Sequence, residues 1–236
     1  MDNRDGLDAV YGMVGAGRRP GTPCLIGITG AVASGKSTFA DALRARFEAD
    51  GATVEVVSTD GFLFPNAVLT ERGLLARKGY PETYDVEALL AALARARTGP
   101  IAIPAYSHVT YDVDPATGRT VDRPDVLIVE GLGLGAEGLP LDTLIYLDAD
   151  EAHLEEWFVD RFLGLWRAAE TDTTSFYARF RAMTEDQTRE LARTVWRQVN
   201  LPNLRDHISL ARDRAHIVVR KGTGHHIAGV ERRFRA

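Results

Sequence analysis

The residues with the clearest chemistry stand near the start of the chain, in Gly30-Ala31-Val32-Ala33-Ser34-Gly35-Lys36-Ser37 followed by Thr38. They match the spacing G-x-x-x-x-G-K-[ST], in which backbone N–H groups surround a phosphate. Glycine allows the backbone conformations that this needs, because it has no Cβ. Lys36 is placed to reach the β- and γ-phosphates of a nucleoside triphosphate, and the Ser37 hydroxyl to bind Mg²⁺. We therefore predict that residues 30–38 bind a nucleoside triphosphate.

The flanking residues supply the elements that such a loop requires. Residues 24–29 form a short apolar run, which is typical of a buried strand. After the loop, Phe39, Leu43 and Phe47 recur at helical spacing, and Gly51 follows as a stop signal. The alternative is an ordinary glycine-rich turn before a helix. The order strand, loop, helix favours phosphate binding.

Strands are predicted at 53–58, 125–130 and 144–148, and a carboxylate stands at or just past the end of each: Asp60, Glu130 and Asp148. Ligands of parallel sheets bind beyond the carboxyl ends of the strands. Asp60, after a strand expected to neighbour the loop's strand, is a candidate to orient or deprotonate a substrate hydroxyl. Glu130 is a candidate Mg²⁺ ligand. The alternatives are a turn residue for Asp60, a solvent-facing strand end for Glu130, and a helix cap or turn residue for Asp148.

Aromatic residues and one arginine form the second group of candidates. Tyr106, His108 and Tyr111 occupy one loop, where they either line a polar substrate pocket or pack on each other. Phe158 and Phe162 belong to an aromatic stripe at helical spacing, which by itself indicates core. Arg161, in the same predicted helix, is placed either to reach the transferred phosphoryl group or to solvate the helix. The pair His225-His226 receives no role.

The composition suits one α/β domain without a nucleic-acid or membrane partner. The chain has 236 residues, 45% of them hydrophobic, and a net charge of −5. That is enough for a substantial core, and it gives no basic field for nucleic acid or anionic membranes. The single cysteine and the lack of a signal segment or an 18-residue apolar run favour a cytoplasmic location. Strands alternating with helices predict a mainly parallel sheet flanked by helices on both sides.

Local patterns predict the remaining elements. Residues 1–20 are interpreted as a lead-in with at most one short helix, and 21–236 as a single domain. Asp85 is a predicted N-cap for a helix ending near Arg97. Turn chemistry at 115–118 predicts a small hairpin, and two amphipathic helices are predicted at 151–168 and 176–200. Late strands are predicted at 216–219 and 229–234. The polar residues 171–175, between the two long helices, would permit a lid.

Several longer strings resemble the bacterial type I pantothenate kinases. The matching strings, in the family's order, are GAVASGKST (30–38), STDGFLFPN (58–66), ERGLLARKGYPETYD (71–85), AYSHVTYDV (105–113), VDRPDVLIVEGL (121–132), WFVDRFLGL (157–165) and VWRQVNLPNL (195–204). The resemblance implies a P-loop kinase fold close to uridine kinase and phosphoribulokinase. It also implies ATP and Mg²⁺ as cofactors, a homodimer, and phosphorylation of pantothenate.

The resemblance assigns roles position by position. Asp60 matches a catalytic aspartate beside the pantothenate hydroxyl, and Arg161 matches an arginine that approaches the phosphates. The remaining matches are contacts with pantothenate or the pocket around it: Tyr106, His108, Tyr111, Phe162 and Asn200.

At four positions the sequence departs from that family. Phe158 stands where a tyrosine is usual, which removes one hydroxyl from the pocket, while Leu165 replaces a frequent aromatic residue and Gly133 an asparagine. Asp41 replaces an arginine that helps to bind coenzyme A, the feedback inhibitor. This charge reversal predicts weak inhibition by coenzyme A.

Three alternative functions stay open at this point. The nearest is a kinase of the same fold acting on a nucleoside, a sugar or another small alcohol. The second is a nucleotide-dependent switch or regulatory protein without a small-molecule substrate, of which a GTPase switch is disfavoured because no N-K-x-D guanine-reading string occurs. A relative that binds nucleotide without catalysis is disfavoured by the presence of Lys36, Ser37, Asp60, Glu130 and Arg161 together.

Overall fold

A mainly parallel sheet forms the centre of the computed structural model, which describes residues 2–19, 21–135 and 138–233. The strands are β1 (Cys24–Gly30), β2 (Val54–Ser58), β3 (Ile101–Ser107), β4 (Asp112–Val121), β5 (Val126–Glu130), β6 (Thr143–Asp148), β7 (Ile217–Lys221) and β8 (Ile227–Arg232). Six of them form one sheet in the order β2-β5-β1-β6-β7-β8, and β3 pairs with β4 separately. Within the large sheet only the pair β7–β8 is antiparallel. The predicted fold class, an α/β sheet flanked by helices, is confirmed.

Helices cover both faces of this sheet. They are α1 (Asn3–Gly15), α2 (Lys36–Ala49), α3 (Asn66–Glu71), α4 (Val86–Ala96), α5 (Glu151–Ala168), α6 (Glu185–Val195), α7 (Leu201–Asn203) and α8 (Leu210–Arg214). Shorter turns include 3-10 turns at Thr59–Phe62 and Phe176–Phe180, and π turns at Trp196–Asn200 and Leu204–Ile208. In the part of the chain that the structure describes, no helix is both long and apolar enough to cross a membrane.

The sequence of β1 shows how both faces of the large sheet are buried. Successive side chains of a strand point to opposite sides, and in β1 Ile26 and Ile28 pack under α1 and α2, whereas Leu25 faces the cluster that contains α4 and α8. All seven residues of β1 are buried. A continuous apolar run is therefore required here, as expected for a strand covered on both sides.

The first helix adds to the core on the α2 side. Val10 and Val14 of α1 are 0% and 2% exposed, and the helix packs against α2 and β8. Asp2 caps it by accepting a hydrogen bond from the Asp5 N–H at 2.7 Å. The lead-in predicted at 1–20 thus contains a helix of 13 residues with a buried face.

Two local predictions are wrong. The hairpin predicted at 115–118 is not there, because those residues lie inside β4; the turn that joins β3 to β4 is formed by residues 108–111. The register of β4 shifts against β3 between Ile103 and Ala105, so the turn-forming residues are accommodated as a bulge.

The helix predicted at 176–200 is the second error. The α-helix α6 begins only at Glu185, where Thr184 and Gln187 form a capping box. Before it stands the separate 3-10 turn that begins after Ser175.

The other predicted elements are confirmed. Asp85 caps α4 by accepting from the Ala88 N–H at 2.9 Å, and α5 spans 151–168 as predicted. The late strands are β7 and β8, although Phe234, the last residue of the second prediction, lies outside the described residues.

Candidate active site

The phosphate-binding loop lies between β1 and α2, as predicted. Gly35 has a φ of 85°, in the left-handed region that favours glycine, and it leads directly into the first turn of α2. The ammonium of Lys36 donates to the carbonyl oxygens of Gly30 at 3.2 Å and Ala31 at 2.9 Å. The loop therefore holds its own lysine within the curve that a phosphate would enter. Burial lowers the pKa of Lys36, while Glu130 and Asp60 act in the opposite direction.

Glu130 meets Ser37 at the end of the neighbouring strand. Its strand β5 pairs with β1, with Ile28 opposite Glu130. Glu130 is 8% exposed as a residue, and its carboxylate accepts a hydrogen bond from the Ser37 hydroxyl at 3.2 Å. Burial raises the pKa of Glu130, Lys36 lowers it, and Asp60 adds to the rise. Two oxygen-bearing side chains thus converge beside the lysine, which suits a hard cation such as Mg²⁺.

Asp60 lies two strands away from the loop, so its predicted position beside the loop's strand is wrong. Its strand β2 pairs with β5, which separates it from β1. Asp60 is nevertheless close enough to Lys36 to affect its pKa. The hydroxyl of Tyr84 donates to Asp60 Oδ1 at 3.4 Å. A carboxylate therefore lies within electrostatic range of the lysine, with β5 between their strands.

The turn that carries Asp60 is held by a close backbone contact. A Cβ on the next residue, Gly61, would lie 2.1 Å from the carbonyl oxygen of Pro104 in β3. The β3–β4 hairpin can approach the end of β2 only because this residue is glycine. In this way, the string TDGF positions both the carboxylate and the hairpin beside it.

Asp60, Tyr106 and His108 line one cavity of about 170 Å³. The rings of Tyr106 and His108 meet edge to face with centroids 5.1 Å apart, and Tyr111 packs on Tyr106 at 6.1 Å. Burial lowers the pKa of His108, Asp60 raises it, and Arg161 lowers it further. The rings therefore pack on each other, and two of them also face the cavity, whose role as a substrate pocket stays a prediction. Tyr111 lies outside the lining.

Lys78 belongs to this cluster and was not predicted. Its ammonium donates to Asn66 Oδ1 at 2.6 Å and to the carbonyl oxygen of Tyr111 at 2.7 Å. It also lies over the rings of Tyr106 and Tyr111, 4.9 and 4.8 Å from their centroids. Burial lowers the pKa of Lys78 to about 8, against the opposing effects of Asp112 and Asp60. The sequence could have drawn attention to Lys78 through the rarity of lysine, because the chain has only three lysines.

The residues predicted on α5 and beyond lie outside that cavity lining. Phe162 is 7% exposed, and Phe158, half-buried, packs on Trp196 with ring centroids 5.8 Å apart. Both therefore belong to packed clusters, as their spacing indicated. Arg161 is exposed and lowers the pKa of His108 and of Lys36. Asn200 is half-buried in the π turn Trp196–Asn200.

The structure shows contacts of Asp148 and His225 that the sequence did not indicate. Asp148 pairs with Arg212 at 3.0 Å. His225, given no role from the sequence, stacks on Trp157 with centroids 3.7 Å apart. A Cβ on Gly35 would lie 3.4 Å from the Nδ1 atom of His225. The loop between β7 and β8 therefore borders the phosphate-binding loop.

Comparisons with known proteins agree with this geometry. The model of the phosphoribulokinase/uridine kinase family matches residues 25–152. The chain is 42% identical over 226 residues to a pantothenate kinase of Parvibaculum lavamentivorans, covering 88% of this chain and 69% of the relative. It is 45% identical over 231 residues to one of Sorangium cellulosum, covering 92% and 74%. The crystal structure of a kinase of Silicibacter sp. TM1040, assigned to a fructose transport system, matches with a TM-score of 0.70 and 28% identity over 89% of this chain and 94% of that one.

A phosphate-binding loop with converging carboxylates at one edge of a parallel sheet defines the class as that of P-loop kinases. The chain belongs to the phosphoribulokinase/uridine kinase family, and within it to the branch of bacterial proteins named pantothenate kinase. It is an ATP-dependent phosphotransferase with an alcohol as acceptor.

Proposed function

We propose that this protein transfers the γ-phosphoryl group of ATP to the primary hydroxyl of pantothenate, a step of coenzyme A biosynthesis. The observation that carries the proposal is the identity of 40–45% to relatives named pantothenate kinase across most of the chain. The cavity shared by Asp60, Tyr106 and His108 gives it chemical support, because it offers a carboxylate and hydrogen-bonding groups to a polar alcohol.

Asp60 is the proposed acceptor of the hydroxyl proton. The substrate oxygen attacks the γ-phosphorus, the bond to the bridging oxygen of ADP breaks, and the proton of the hydroxyl passes to the carboxylate. Lys36 and Arg161 would offset the negative charge that collects on the transferred group and on the departing phosphate. The position of Lys36 within the loop and of Arg161 near His108 supports these roles.

The site also fits a magnesium ion. Ser37 and Glu130 would hold it, because they bring a hydroxyl and a buried carboxylate together. When bound, the ion would offset charge on the β- and γ-phosphates. Among the described residues no group of three or more His, Cys, Asp or Glu could hold a metal. A Mg²⁺ ion bound by few protein ligands takes its others from phosphates and water.

The second candidate is a kinase for another small alcohol. The 28% identity to a kinase assigned to fructose transport favours keeping a sugar in the test, and Phe158 offers no hydroxyl to the pocket.

The division into 1–20 and 21–236, the homodimer and the cytoplasmic location stay predictions. The cytoplasmic location agrees with the use of ATP.

A substrate panel tests the proposal. The purified chain is given ATP and Mg²⁺ with pantothenate, a nucleoside, fructose or glycerate, and ADP formation and the phosphorylated product are measured. We expect the highest kcat/KM with pantothenate. A higher value with the nucleoside or fructose would show that the substrate is wrong. ATP binding without turnover on any alcohol would identify a non-catalytic nucleotide-binding protein.

A further inference from the structure

The first turn of α1 is attached to the beginning of β8. The side-chain oxygen Oδ1 of Asn3 accepts a hydrogen bond from the backbone N–H of Ile227 at 2.7 Å. One turn further along the helix, a Cβ on Gly6 would lie 2.6 Å from the Cγ2 atom of Ile227, so the helix backbone packs directly on this side chain. Ile227 is 3% exposed and is the first residue of β8. The helix α1 therefore holds the hairpin β7–β8 at the residue where its loop ends.

The loop between β7 and β8 is closed at its base and strained at its tip. The N–H of Gly222 donates to the carbonyl oxygen of His226 at 2.8 Å, which closes the base. At the tip, Gly224 and His225 have φ angles of 66° and 63°. The left-handed region costs free energy for a residue with a Cβ, so His225 keeps this conformation only where the surrounding contacts fix it. The position of His225 therefore depends on what holds the loop.

His225 lies between the helix α5 and the phosphate-binding loop. Its ring stacks on Trp157 of α5 with centroids 3.7 Å apart. Its Nδ1 atom lies 3.4 Å from the position of a Cβ on Gly35, and the Lys221 ammonium lies 3.9 Å from the same position. The Nδ1 atom is buried and has no hydrogen-bond partner among the residues that the structure describes. The ring thus fills the space beside the turn by which the phosphate-binding loop enters α2.

This packing limits the conformations that are open to Gly35. Its φ of 85° is one that glycine can leave easily, because glycine has no Cβ. The backbone N–H groups of such a loop bind phosphate only while they point into it. Contacts that hold a binding loop in its bound conformation increase affinity, because less ordering is needed when the ligand arrives. The contacts that lead from Asn3 through Ile227 to His225 therefore bear on the affinity for nucleotide.

We propose that Asn3 is a positioning residue for ATP: by holding the beginning of β8, it keeps His225 against Gly35 and stabilises the phosphate-binding loop in the conformation that binds the nucleotide. The inference rests on the proposed function, because it takes residues 30–38 as the ATP site. It gives α1 a role in binding in addition to the buried face that Val10 and Val14 contribute to the core.

The test is Asn3→Ala, which removes the acceptor for the Ile227 N–H. The dissociation constant of ATP is measured by titration calorimetry with Mg²⁺ and without an alcohol. We expect it to rise about 3- to 10-fold, the effect of one lost hydrogen bond. With the best alcohol substrate, kcat at saturating ATP and KM for the alcohol should stay within about twofold. Asn3→Asp should bind ATP as the wild type does, because its carboxylate can accept the same hydrogen bond.

Asp2→Ala is the matched control on the same helix. It removes the N-cap, whose carboxylate accepts from the Asp5 N–H at 2.7 Å, and it keeps the acceptor for Ile227. Loss of an N-cap costs about 1 kcal/mol of stability, so thermal unfolding should occur at a lower temperature than in the wild type. The dissociation constant of ATP should nevertheless stay within about twofold of the wild-type value.

An unchanged dissociation constant in Asn3→Ala overturns the inference. An equal rise in Asp2→Ala also overturns it, because the effect would then follow the stability of α1 rather than the bond to β8. The same holds if Asn3→Asp binds ATP as weakly as Asn3→Ala. The proposed function is decided separately: if the wild type binds ATP but does not phosphorylate pantothenate, the substrate is wrong and the comparison of ATP affinities stands. A wild type that does not bind ATP would contradict both.

Discussion

Replacing Asp60 with asparagine tests the chemistry directly, because it removes the charge and the proton acceptor while the shape of the side chain is kept. The fold should tolerate the change. Asp60 is half-buried, and the side-chain hydrogen bond that its carboxylate accepts from Tyr84, at 3.4 Å, is longer than a strong hydrogen bond. The amide oxygen of asparagine can accept the same bond. We expect the free energy of unfolding to change by less than about 1 kcal/mol.

The expected loss of activity is much larger than the loss of stability. A positioned general base contributes about 10²- to 10⁴-fold to the rate. At about 1.4 kcal/mol per factor of ten, this equals about 3–5 kcal/mol of transition-state stabilisation. ATP affinity should stay nearly unchanged, because Asp60 lies two strands away from the loop that holds the phosphates. The effect should therefore appear in kcat.

The assay compares kcat from coupled ADP release with ATP affinity from titration calorimetry, and thermal unfolding monitors the fold. Asp85→Asn is a matched control with the same change in charge. Asp85 caps α4 through the Ala88 N–H, and asparagine is an equally good cap. Its kcat should equal that of the wild type. If Asp60→Asn keeps full turnover, Asp60 is not part of the mechanism. If it loses ATP affinity and kcat together, its role lies in the nucleotide site.

Three further outcomes are expected. Glu130→Gln keeps the partner of Ser37 but loses the charge, so the Mg²⁺ concentration for half-maximal activity should rise at least about tenfold. Burial lowers the pKa of His108 in the folded protein, so the unfolded chain binds its proton first as the pH falls. The free energy of unfolding should therefore decrease as the pH is lowered from 6.5, and this decrease should be smaller in His108→Gln. Coenzyme A should inhibit the wild type weakly and Asp41→Arg at least about tenfold more strongly, because Asp41 is exposed and its partner Arg44 is exposed as well.

Each of these outcomes has a contrary result. Equal Mg²⁺ dependence of wild type and Glu130→Gln would remove Glu130 from the metal site. If the free energy of unfolding decreases by the same amount between pH 7 and pH 5 in the wild type and in His108→Gln, groups other than His108 cause the decrease. Strong inhibition of the wild type by coenzyme A, or no gain in Asp41→Arg, would show that position 41 does not set the inhibition.

Local chemistry was readable from the sequence. The phosphate-binding loop, the cap at Asp85 and the bounds of α5 follow from interactions within a few residues. The continuous apolar runs of β1 and β5 could be predicted because strands buried on both faces need apolar residues throughout. The local turn pattern at 115–118 gave a wrong prediction, because β4 continues through these residues. They form an irregular, bulged part of its pairing with β3.

The sequence by itself determined which groups are available: a lysine in a glycine-rich loop, carboxylates after two strands, and an aromatic loop with a histidine. Tertiary structure decided their arrangement. The order of the strands placed β5 between Asp60 and the phosphate-binding loop, and the hairpin brought Lys78 over two tyrosine rings. It also placed His225, some 190 residues after Gly35, against that loop. Strand order and long-range contacts depend on how whole faces pack together, and no short pattern along the chain contains that information.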